Sequence, residues 1–263
     1  MSAATLPWDY TRLARHYETR APYHADTAAH VAALVMLPTP ARIADIGAGT
    51  GRAARLFAAA GHGVDAVEPN DAMRAIGVEL TRDDADVRWH DARGEATRLA
   101  ASAYDLVTFG SSFNVVDARA ALDECARLLR PTGALACFWN HRDLDEPLQA
   151  SIEAAIRRVL PHFDPGARRE DPTATIAGHG AFEAPRAFAL PFLHRTTPTA
   201  FLEGFNAHAT LVRQAGADMP AILAAIAHRV GATAHLDVPF VTRGWVARRR
   251  PALSLSGLSP LPQ

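Results

Sequence analysis

Short apolar runs alternate with helical periodicities along the first 140 residues of the chain. Short runs rich in apolar residues predict five strands, at 43–46, 63–68, 87–90, 104–110 and 134–139. Between them, apolar residues at helical spacing predict helices at 52–60, from 71 onward, and at 118–130. Strands covered on both faces are apolar nearly throughout, as 134–139 is. The alternation therefore predicts an α/β protein with a mostly parallel sheet and helices on both faces.

The two ends of the chain depart from this alternation. Helical patterns at 10–23 and 24–36 precede the first strand, and we expect them to fold over the ligand edge as a lid. After residue 147 we predict helices at 148–160, 199–207 and 220–230, and the last two strands at 187–190 and 238–246. The predicted organisation is lid helices at 1–40, a core at 41–146, a substrate-binding cap with connecting elements at 147–235, a last sheet strand at 236–250 and a loose tail at 251–263.

Three glycines at alternate positions follow the first strand. Asp45 ends the strand, and Gly47, Gly49 and Gly51 then lead into the next helical pattern. Glycine allows a positive φ and lets a cofactor approach the backbone without meeting a Cβ. A dinucleotide fingerprint would require glycine where Arg52 stands, which argues against a nicotinamide oxidoreductase. The stretch predicts a cofactor site, with a purely structural tight turn as the alternative.

An acidic residue ends the second predicted strand. Glu68 lies 17 residues after Gly51, close to the spacing of about 20 at which an acid reaches a ribose. A carboxylate there can accept hydrogen bonds from two vicinal hydroxyls. An ordinary exposed glutamate is the alternative. Asn70 follows as a predicted N-cap, and Met73 either packs near the cofactor base or belongs to the core.

The order of these features over residues 17–140 resembles the class I S-adenosylmethionine-dependent methyltransferases, in the broad type-11 and trans-aconitate-like group. The resemblance implies a Rossmann-like fold with a seven-stranded, mostly parallel sheet and a helical cap. It also implies S-adenosylmethionine as cofactor and a loop at 91–96 that brackets the adenine and turns into a short helix. The cofactor contacts that it assigns are Tyr17, Arg20, Asp45, Gly47, Ala48, Gly49, Gly51, Glu68, Pro69, Met73, Asp91, Arg93, Gly94, Glu95, Gly110, Ser111 and Phe113.

The sequence departs from these relatives at two positions of the site. Arg93 replaces an acid that often contacts the adenine amino group, and Asp91 is a candidate substitute. After the fourth strand, Asn114 stands where a histidine is common, and an amide orients a donor without acting as a base. Tyr17 either lies beside the cofactor and substrate or only packs the lid onto the core.

Candidate acceptor-binding residues follow the fifth strand and recur in the cap. His141 and Arg142 come at the carboxyl edge of the sheet, where ligands of such folds bind, and with Asn114 they are the candidate catalytic residues. A solvated loop is the alternative. A carboxylate could be held if several cap residues converge; otherwise they are scattered surface charge. The set is His141, Arg142, His194, Arg195, His208 and Arg213.

Composition limits the remaining choices. With 263 residues, 49% of them hydrophobic, the chain can bury one large core with a cap. A formal net charge of −1 gives no reason to expect nucleic acid or an anionic membrane as partner. The two cysteines supply neither a disulfide framework nor a zinc site, and we expect no metal. Residues 1–8 lack the features of a signal peptide, and no run is long enough to span a membrane.

The resemblance and the composition together predict a cytoplasmic methyltransferase that acts on a small molecule, an acidic metabolite or amino acid methylated on oxygen, nitrogen or sulfur. Catalysis would then consist mainly of holding a lone pair about 3 Å from the methyl group. The competing interpretations are an RNA or protein methyltransferase and a non-catalytic protein that binds S-adenosylmethionine. Intact turn glycines and Glu68 favour a working site. A homodimer is left open.

Overall fold

A computed structural model describes residues 10–165 and 170–251, and within them seven strands form a single sheet. The strands are β1 (Arg42–Ile46), β2 (Gly63–Val67), β3 (Val87–His90), β4 (Tyr104–Gly110), β5 (Leu129–Arg142), β6 (Arg186–Thr196) and β7 (Leu236–Arg248). Their order across the sheet is β3-β2-β1-β4-β5-β7-β6, and β7 alone runs antiparallel to its neighbours. The predicted seven-stranded, mostly parallel sheet is confirmed.

The helices lie between the strands, as the periodicities predict. They are α1 (Thr27–Val35), α2 (Arg52–Ala58), α3 (Asp71–Leu80), α4 (Ala118–Leu128), α5 (Pro147–Val159), α6 (Thr173–Gly178), α7 (Pro198–Asn206), α8 (Ala209–Ala215) and α9 (Met219–Val230). The Asn70 side chain accepts a hydrogen bond from the Met73 amide at 3.0 Å, which confirms the predicted N-cap of α3. The short helices α6 and α8 are not among the elements predicted from the sequence.

Two apolar clusters cover the two faces of the sheet. In β1, Ile43 packs into one cluster with Phe57 of α2, while its neighbour Ile46 packs into the other with Phe109. Successive side chains of a strand point to opposite faces, so both faces of β1 are buried. This two-sided burial explains why the central strands are apolar without alternation.

A third apolar cluster lies beyond the sheet. The helices α5, α7, α8 and α9, here called the cap helices, pack their apolar faces together with the first residues of β7. Ile152, Phe205 and Ile222 are buried there beside Val238. Because β5, β6 and β7 remain paired as far as Arg142, Thr196 and Leu236, they carry the cap helices on an extension of the sheet.

The predicted helix at 10–23 is wrong over most of its length. Only Ala14–Thr19 is helical, as a 3-10 turn, and the chain is then extended or irregular up to residue 24. The Arg52 guanidinium ties this irregular stretch to the core by donating to the carbonyls of Tyr17 and Arg20 at 3.1 and 2.8 Å. Residues 14–24 are called the lid segment below.

The predicted short helix after Asp91 is also wrong, because the chain there forms a bridge between Arg93 and Ala96. Gly94 lies so close to β1 that a Cβ on it would stand 2.7 Å from Ile46 Cγ2. The loop is therefore pressed against the sheet. The predicted tail lies outside the described residues after Pro251, as do residues 1–9 and 166–169.

Candidate active site

A cleft with an empty volume of about 750 Å³ opens at the carboxyl ends of β1, β2 and β4. Its lining residues are Tyr10, Tyr17, Gly47, Gly49, Glu68, Pro69, Asn70, Met73, Arg93, Glu95, Gly110, Ser111, Ser112, Val115 and Val116. Ten of these are residues that the sequence predicts as cofactor contacts.

The glycine turn forms the floor of the cleft. Gly47, Gly49 and Gly51 have φ of +64°, +60° and +81°, a conformation that residues with a Cβ rarely adopt. A Cβ on Gly51 would also lie 2.9 Å from Cζ2 of Trp89, so its close packing against β3 requires glycine. The turn thus brings the Gly49 amide to the wall formed by the end of β2.

Glu68 connects the turn to the second strand. Its Oε2 accepts a hydrogen bond from the Gly49 amide at 2.8 Å, and its Oε1 accepts one from the Asn70 amide at 2.8 Å. Burial raises the pKa of Glu68 above its usual range, although both hydrogen bonds oppose that rise. Each carboxylate oxygen can accept more than one hydrogen bond. Glu68 therefore lines the cleft in a fixed orientation with acceptor capacity left for a ligand.

Asp45 does not reach the cleft. Its side chain is fully buried, and its Oδ1 accepts a hydrogen bond from the Thr108 hydroxyl of β4 at 2.8 Å. Burial raises the pKa of this carboxyl to about 7, against the opposing effect of the Thr108 hydroxyl. The structure thus places Asp45 beneath the turn, between two neighbouring strands, rather than against a ligand.

The raised pKa of Asp45 predicts a pH-dependent stability. Because the folded-state pKa of about 7 exceeds the ordinary value of 3.8, this carboxyl favours folding at low pH and loses that contribution as pH rises through 7. Between pH 5.5 and 7.5 the wild type should lose about 2 kcal/mol of unfolding free energy relative to Asp45→Asn. Urea unfolding at both pH values measures this difference. Asp83→Asn, at an exposed site, is the control and should follow the wild type, whereas equal pH dependence in Asp45→Asn would contradict the prediction.

The other side of the cleft combines predicted and unpredicted residues. Arg93 and Glu95 lie on it, and the Arg93 Nε donates to Glu95 Oε2 at 3.4 Å. Val115 and Val116 give it an apolar surface that the sequence did not assign. The sequence signal from which this surface could have been predicted is a pair of apolar residues in the loop after a strand. Asp91 pairs instead with Arg74 at 3.2 Å outside the lining.

Four further predicted contacts lie outside the lining of this cleft. They are Ala48, Gly51, Gly94 and Phe113. Phe113 is buried and packs edge-on against Phe109 at a ring distance of 5.2 Å. Gly94 and Gly51 each lie against a neighbouring side chain at a distance that excludes a Cβ. These residues shape the loops of the cleft from behind.

The lid segment covers the cleft and is tied to the glycine turn. Tyr17 lies on the cleft, while Glu18 accepts hydrogen bonds from the Thr50 hydroxyl at 2.6 Å and from Arg55 at 2.7 Å. On the far side of the turn, the Tyr23 hydroxyl lies 2.9 Å from Ser111 Oγ. Arg52 stands where a dinucleotide fingerprint would have glycine. Its guanidinium donates to two carbonyls of the lid segment, those of Tyr17 and Arg20.

A second cavity, with an empty volume of about 820 Å³, lies between the lid segment and the cap helices. It is lined by Thr19, Arg20, Ala21, Asn140, His141, Arg142, Phe163, Pro165, His194, Phe201, Gly204, Phe205, His208 and Phe240. We call it the cap cavity. Four phenylalanines give it an aromatic wall. The structure brings together His141, Arg142, His194 and His208 of the predicted acceptor set, while Arg195 and Arg213 are exposed and outside the lining.

Two of the three candidate catalytic residues reach the cap cavity. His141 and Arg142 line it, whereas Asn114 lines neither the cleft nor the cap cavity. The Asn114 carbonyl oxygen instead accepts a hydrogen bond from the Trp139 indole at 2.9 Å. Arg142 donates to Glu153 Oε2 at 2.9 Å, so its charge is already balanced by an acid. Arg20, assigned to the cofactor from the sequence, lies on the cap cavity rather than on the cleft.

Comparison with known proteins relates part of this arrangement to a class. Residues 44–137, which carry the turn, Glu68 and the wall of the cleft, match the family model described as a methyltransferase domain. Over these residues the chain is similar to a methyltransferase domain, and its strand order fits the class I, S-adenosylmethionine-dependent type that the sequence analysis expects. S-adenosylmethionine is the methyl donor of this class.

Two relatives carry the name ubiquinone/menaquinone biosynthesis C-methyltransferase UbiE. The one from Rubrivivax gelatinosus is 37% identical over 36% of this chain and 38% of its own length. The one from Caulobacter vibrioides is 34% identical over 45% of this chain and 52% of its own length. The chain thus spans about half or less of these relatives. A solved structure, assigned as a type II methyltransferase from Anaeromyxobacter dehalogenans, shares the fold with a TM-score of 0.62 and 20% identity, over 88% of this chain and 97% of that one.

The residues of the cleft fit S-adenosylmethionine. The orientation of Glu68 suits the two hydroxyls of a ribose, and the positive-φ glycines leave room above the turn. Among the described residues, no group of three or more His, Cys, Asp or Glu side chains could hold a metal ion. In the same part of the chain, no helix has the length and apolar character needed to cross a membrane.

Proposed function

We propose that this protein transfers a methyl group from S-adenosylmethionine to a small molecule held in the cap cavity. The proposal rests on one observation: the cleft and the cap cavity are both lined by residues of the lid segment. One is a cleft with a fixed buried acid above a glycine turn, and the other is an aromatic cavity of similar size. Tyr17 lines the first space, while Thr19, Arg20 and Ala21 line the second.

In this proposal Glu68 would hold the ribose, Met73 and Val115 would contact the base, and Tyr17 would cover the cofactor. When bound, S-adenosylmethionine supplies a methyl on a sulfonium: the electron pair of the acceptor forms the new bond to carbon, and the carbon–sulfur pair stays on sulfur, which leaves S-adenosylhomocysteine. The protein contributes mainly by holding the acceptor in line and excluding water. A neutral His141 could take the proton of an acceptor that starts protonated.

A small acceptor is favoured over a macromolecule by the walls of the cap cavity. The cap helices and the lid segment bound it, and an RNA or a protein segment would require an open docking surface. The net charge of −1 gives no electrostatic attraction for RNA. Phe201, Phe205 and Phe240 offer ring faces and edges to a flat apolar body. Two relatives are named as C-methyltransferases. Carbon is therefore a candidate for the methylated atom of the acceptor, in addition to oxygen, nitrogen and sulfur.

Calorimetric titration of the wild type with S-adenosylhomocysteine, and separately with NADH, tests the proposal. We expect micromolar binding of S-adenosylhomocysteine and no measurable binding of NADH. Release of S-adenosylhomocysteine from S-adenosylmethionine, assayed with a panel of small aromatic and aliphatic acceptors, then tests catalysis. Binding of NADH instead would overturn the proposal. Tight binding without turnover on any acceptor, while RNA or protein is methylated, would support the macromolecular alternative.

A further inference from the structure

We propose that the acceptor is a carboxylic acid with an aromatic or flat apolar body, and that Arg20 and His194 hold its carboxylate at the outer end of the cap cavity. This inference rests on the proposed function, because it concerns the ligand of the same cavity. It assigns the anionic anchor to a residue that the sequence placed in the cofactor site.

Arg20 is a cation without an acidic partner among the described residues. Its guanidinium lies over the Tyr17 ring, 4.8 Å from the ring centre, and no carboxylate of residues 10–165 and 170–251 forms an ion pair with it. The side chain is half-buried. A partly desolvated guanidinium offers a planar fork of donors that matches a carboxylate. Arg20 is thus positioned and available for an anionic ligand.

The surroundings of Arg20 add positive charge. Arg20 and His194 also line an open groove that carries Arg52 and Arg55 and leads to the cap cavity. Burial lowers the pKa of Arg52, and repulsion by Arg20 adds to that effect. Burial lowers the pKa of His194 as well, and Arg52 adds to it. These groups therefore lie within mutual electrostatic range, and an anion between them would relieve the repulsion.

The acidic side chain in this groove already accepts hydrogen bonds from other protein groups. Glu18 is the one acidic side chain among the described residues that line it, and it accepts hydrogen bonds from Arg55 at 2.7 Å and from Thr50 at 2.6 Å. No aspartate or glutamate is among the described residues that line the cap cavity. Among the described residues, no acid is left to balance the charge of Arg20 at the junction of groove and cavity, and a ligand can do so.

Arg142 is a weaker candidate for the anchor. Its guanidinium donates to Glu153 and Gln149 at 2.9 and 3.3 Å and lies over the Phe205 ring at 5.4 Å. These contacts spread its charge over protein groups at the inner end of the cavity. Phe201 and Phe240 add apolar surface to the same cavity, and among residues 10–165 and 170–251 the Arg20 guanidinium has no acidic partner. An amphipathic organic acid matches that distribution.

The test compares cinnamate with its neutral analogue cinnamamide, on protein saturated with S-adenosylhomocysteine. Dissociation constants are measured by ligand-observed NMR for the wild type, Arg20→Gln, His194→Asn and the control Arg195→Gln. We expect the wild type to prefer cinnamate by about tenfold, the energy of one charge-assisted hydrogen bond. Arg20→Gln should abolish the preference, His194→Asn should reduce it, and Arg195→Gln should retain it, since Arg195 is exposed and lies outside the cavity.

Three outcomes would overturn the inference. Equal affinity of the wild type for cinnamate and cinnamamide would show that the cavity has no binding site for a carboxylate. If Arg20→Gln lost affinity for S-adenosylhomocysteine but kept the preference for cinnamate, Arg20 would be a cofactor contact, as the sequence analysis expects, and not the carboxylate anchor. A preference retained by both Arg20→Gln and His194→Asn would place the anchor elsewhere. Failure of the wild type to bind S-adenosylhomocysteine at the first step would instead count against the proposed function itself.

Discussion

Replacing Glu68 by glutamine is expected to weaken the binding of S-adenosylhomocysteine by between about 10-fold and 150-fold. Hydrogen bonds to a charged acceptor contribute about 1.5 to 3 kcal/mol, and a carboxamide presents only one oxygen to a diol. The amide nitrogen would also face one of the two backbone amides, of Gly49 or Asn70, that now donate to the carboxylate. Calorimetric titration of the variant beside the wild type measures the loss.

The matched control is Glu79→Gln, which changes an exposed glutamate of α3 that pairs with Arg82. Its affinity for S-adenosylhomocysteine should equal that of the wild type. Thermal unfolding of both variants shows whether the turn is intact. An unchanged affinity in a folded Glu68→Gln would mean that the ribose is held elsewhere, and the assignment of the cleft would then be wrong.

Replacing Arg142 by alanine is expected to lower the free energy of unfolding by about 3 kcal/mol, the lower end of the cost of breaking a buried ion pair. The ion pair between Arg142 and Glu153 is largely buried, with side chains 11% and 12% exposed. Removing Arg142 leaves the Glu153 carboxylate buried with only the more exposed Arg157 as counter-ion. Urea unfolding of the variant measures the effect, which concerns the cap rather than the cleft.

A double replacement distinguishes the ion pair from simple loss of packing. Arg142→Met with Glu153→Leu removes both charges and should recover most of the stability, because no buried charge is left alone. Arg157→Ala removes the more exposed second partner of Glu153 and should cost at most about 1 kcal/mol. If Arg142→Ala were as stable as the wild type and lost acceptor affinity, Arg142 would be the anchor instead of Arg20.

Most of the sheet can be predicted from the sequence because the apolar runs and turn glycines are local signals that agree with the burial of the strands. Strands with both faces covered have few polar positions, and glycines with positive φ can be inferred from spacing alone. The sequence also places Glu68 directly after a buried strand, where it lines the cleft, and its contact with a ribose stays a prediction. Asn70 follows it as a cap whose geometry is local.

The residues that could not be predicted depend on partners far along the chain. Asp45 lies within β1 and Glu68 directly follows β2, and only Glu68 lines the cleft, whereas the buried Asp45 carboxylate accepts from the Thr108 hydroxyl of β4. The lid segment has helical spacing but forms only one 3-10 turn, and it is held to the core by Arg52, a side chain 35 residues away that donates to the Tyr17 carbonyl. The case of Arg20 is similar. Whether a cation lacks a counter-ion depends on the whole surrounding surface, and no sequence motif records it.

The shared wall between cleft and cap cavity has a consequence for turnover. The lid segment is attached to β5 by the Asn140 amide, which donates to the Ala21 carbonyl at 3.0 Å, and to β7 by Thr242, which accepts from the His24 amide at 2.9 Å. It cannot leave one space without disturbing the other. Departure of the methylated product and of the spent nucleoside would then be kinetically coupled, and the steady-state rate would measure how often this wall opens rather than how fast the methyl group moves.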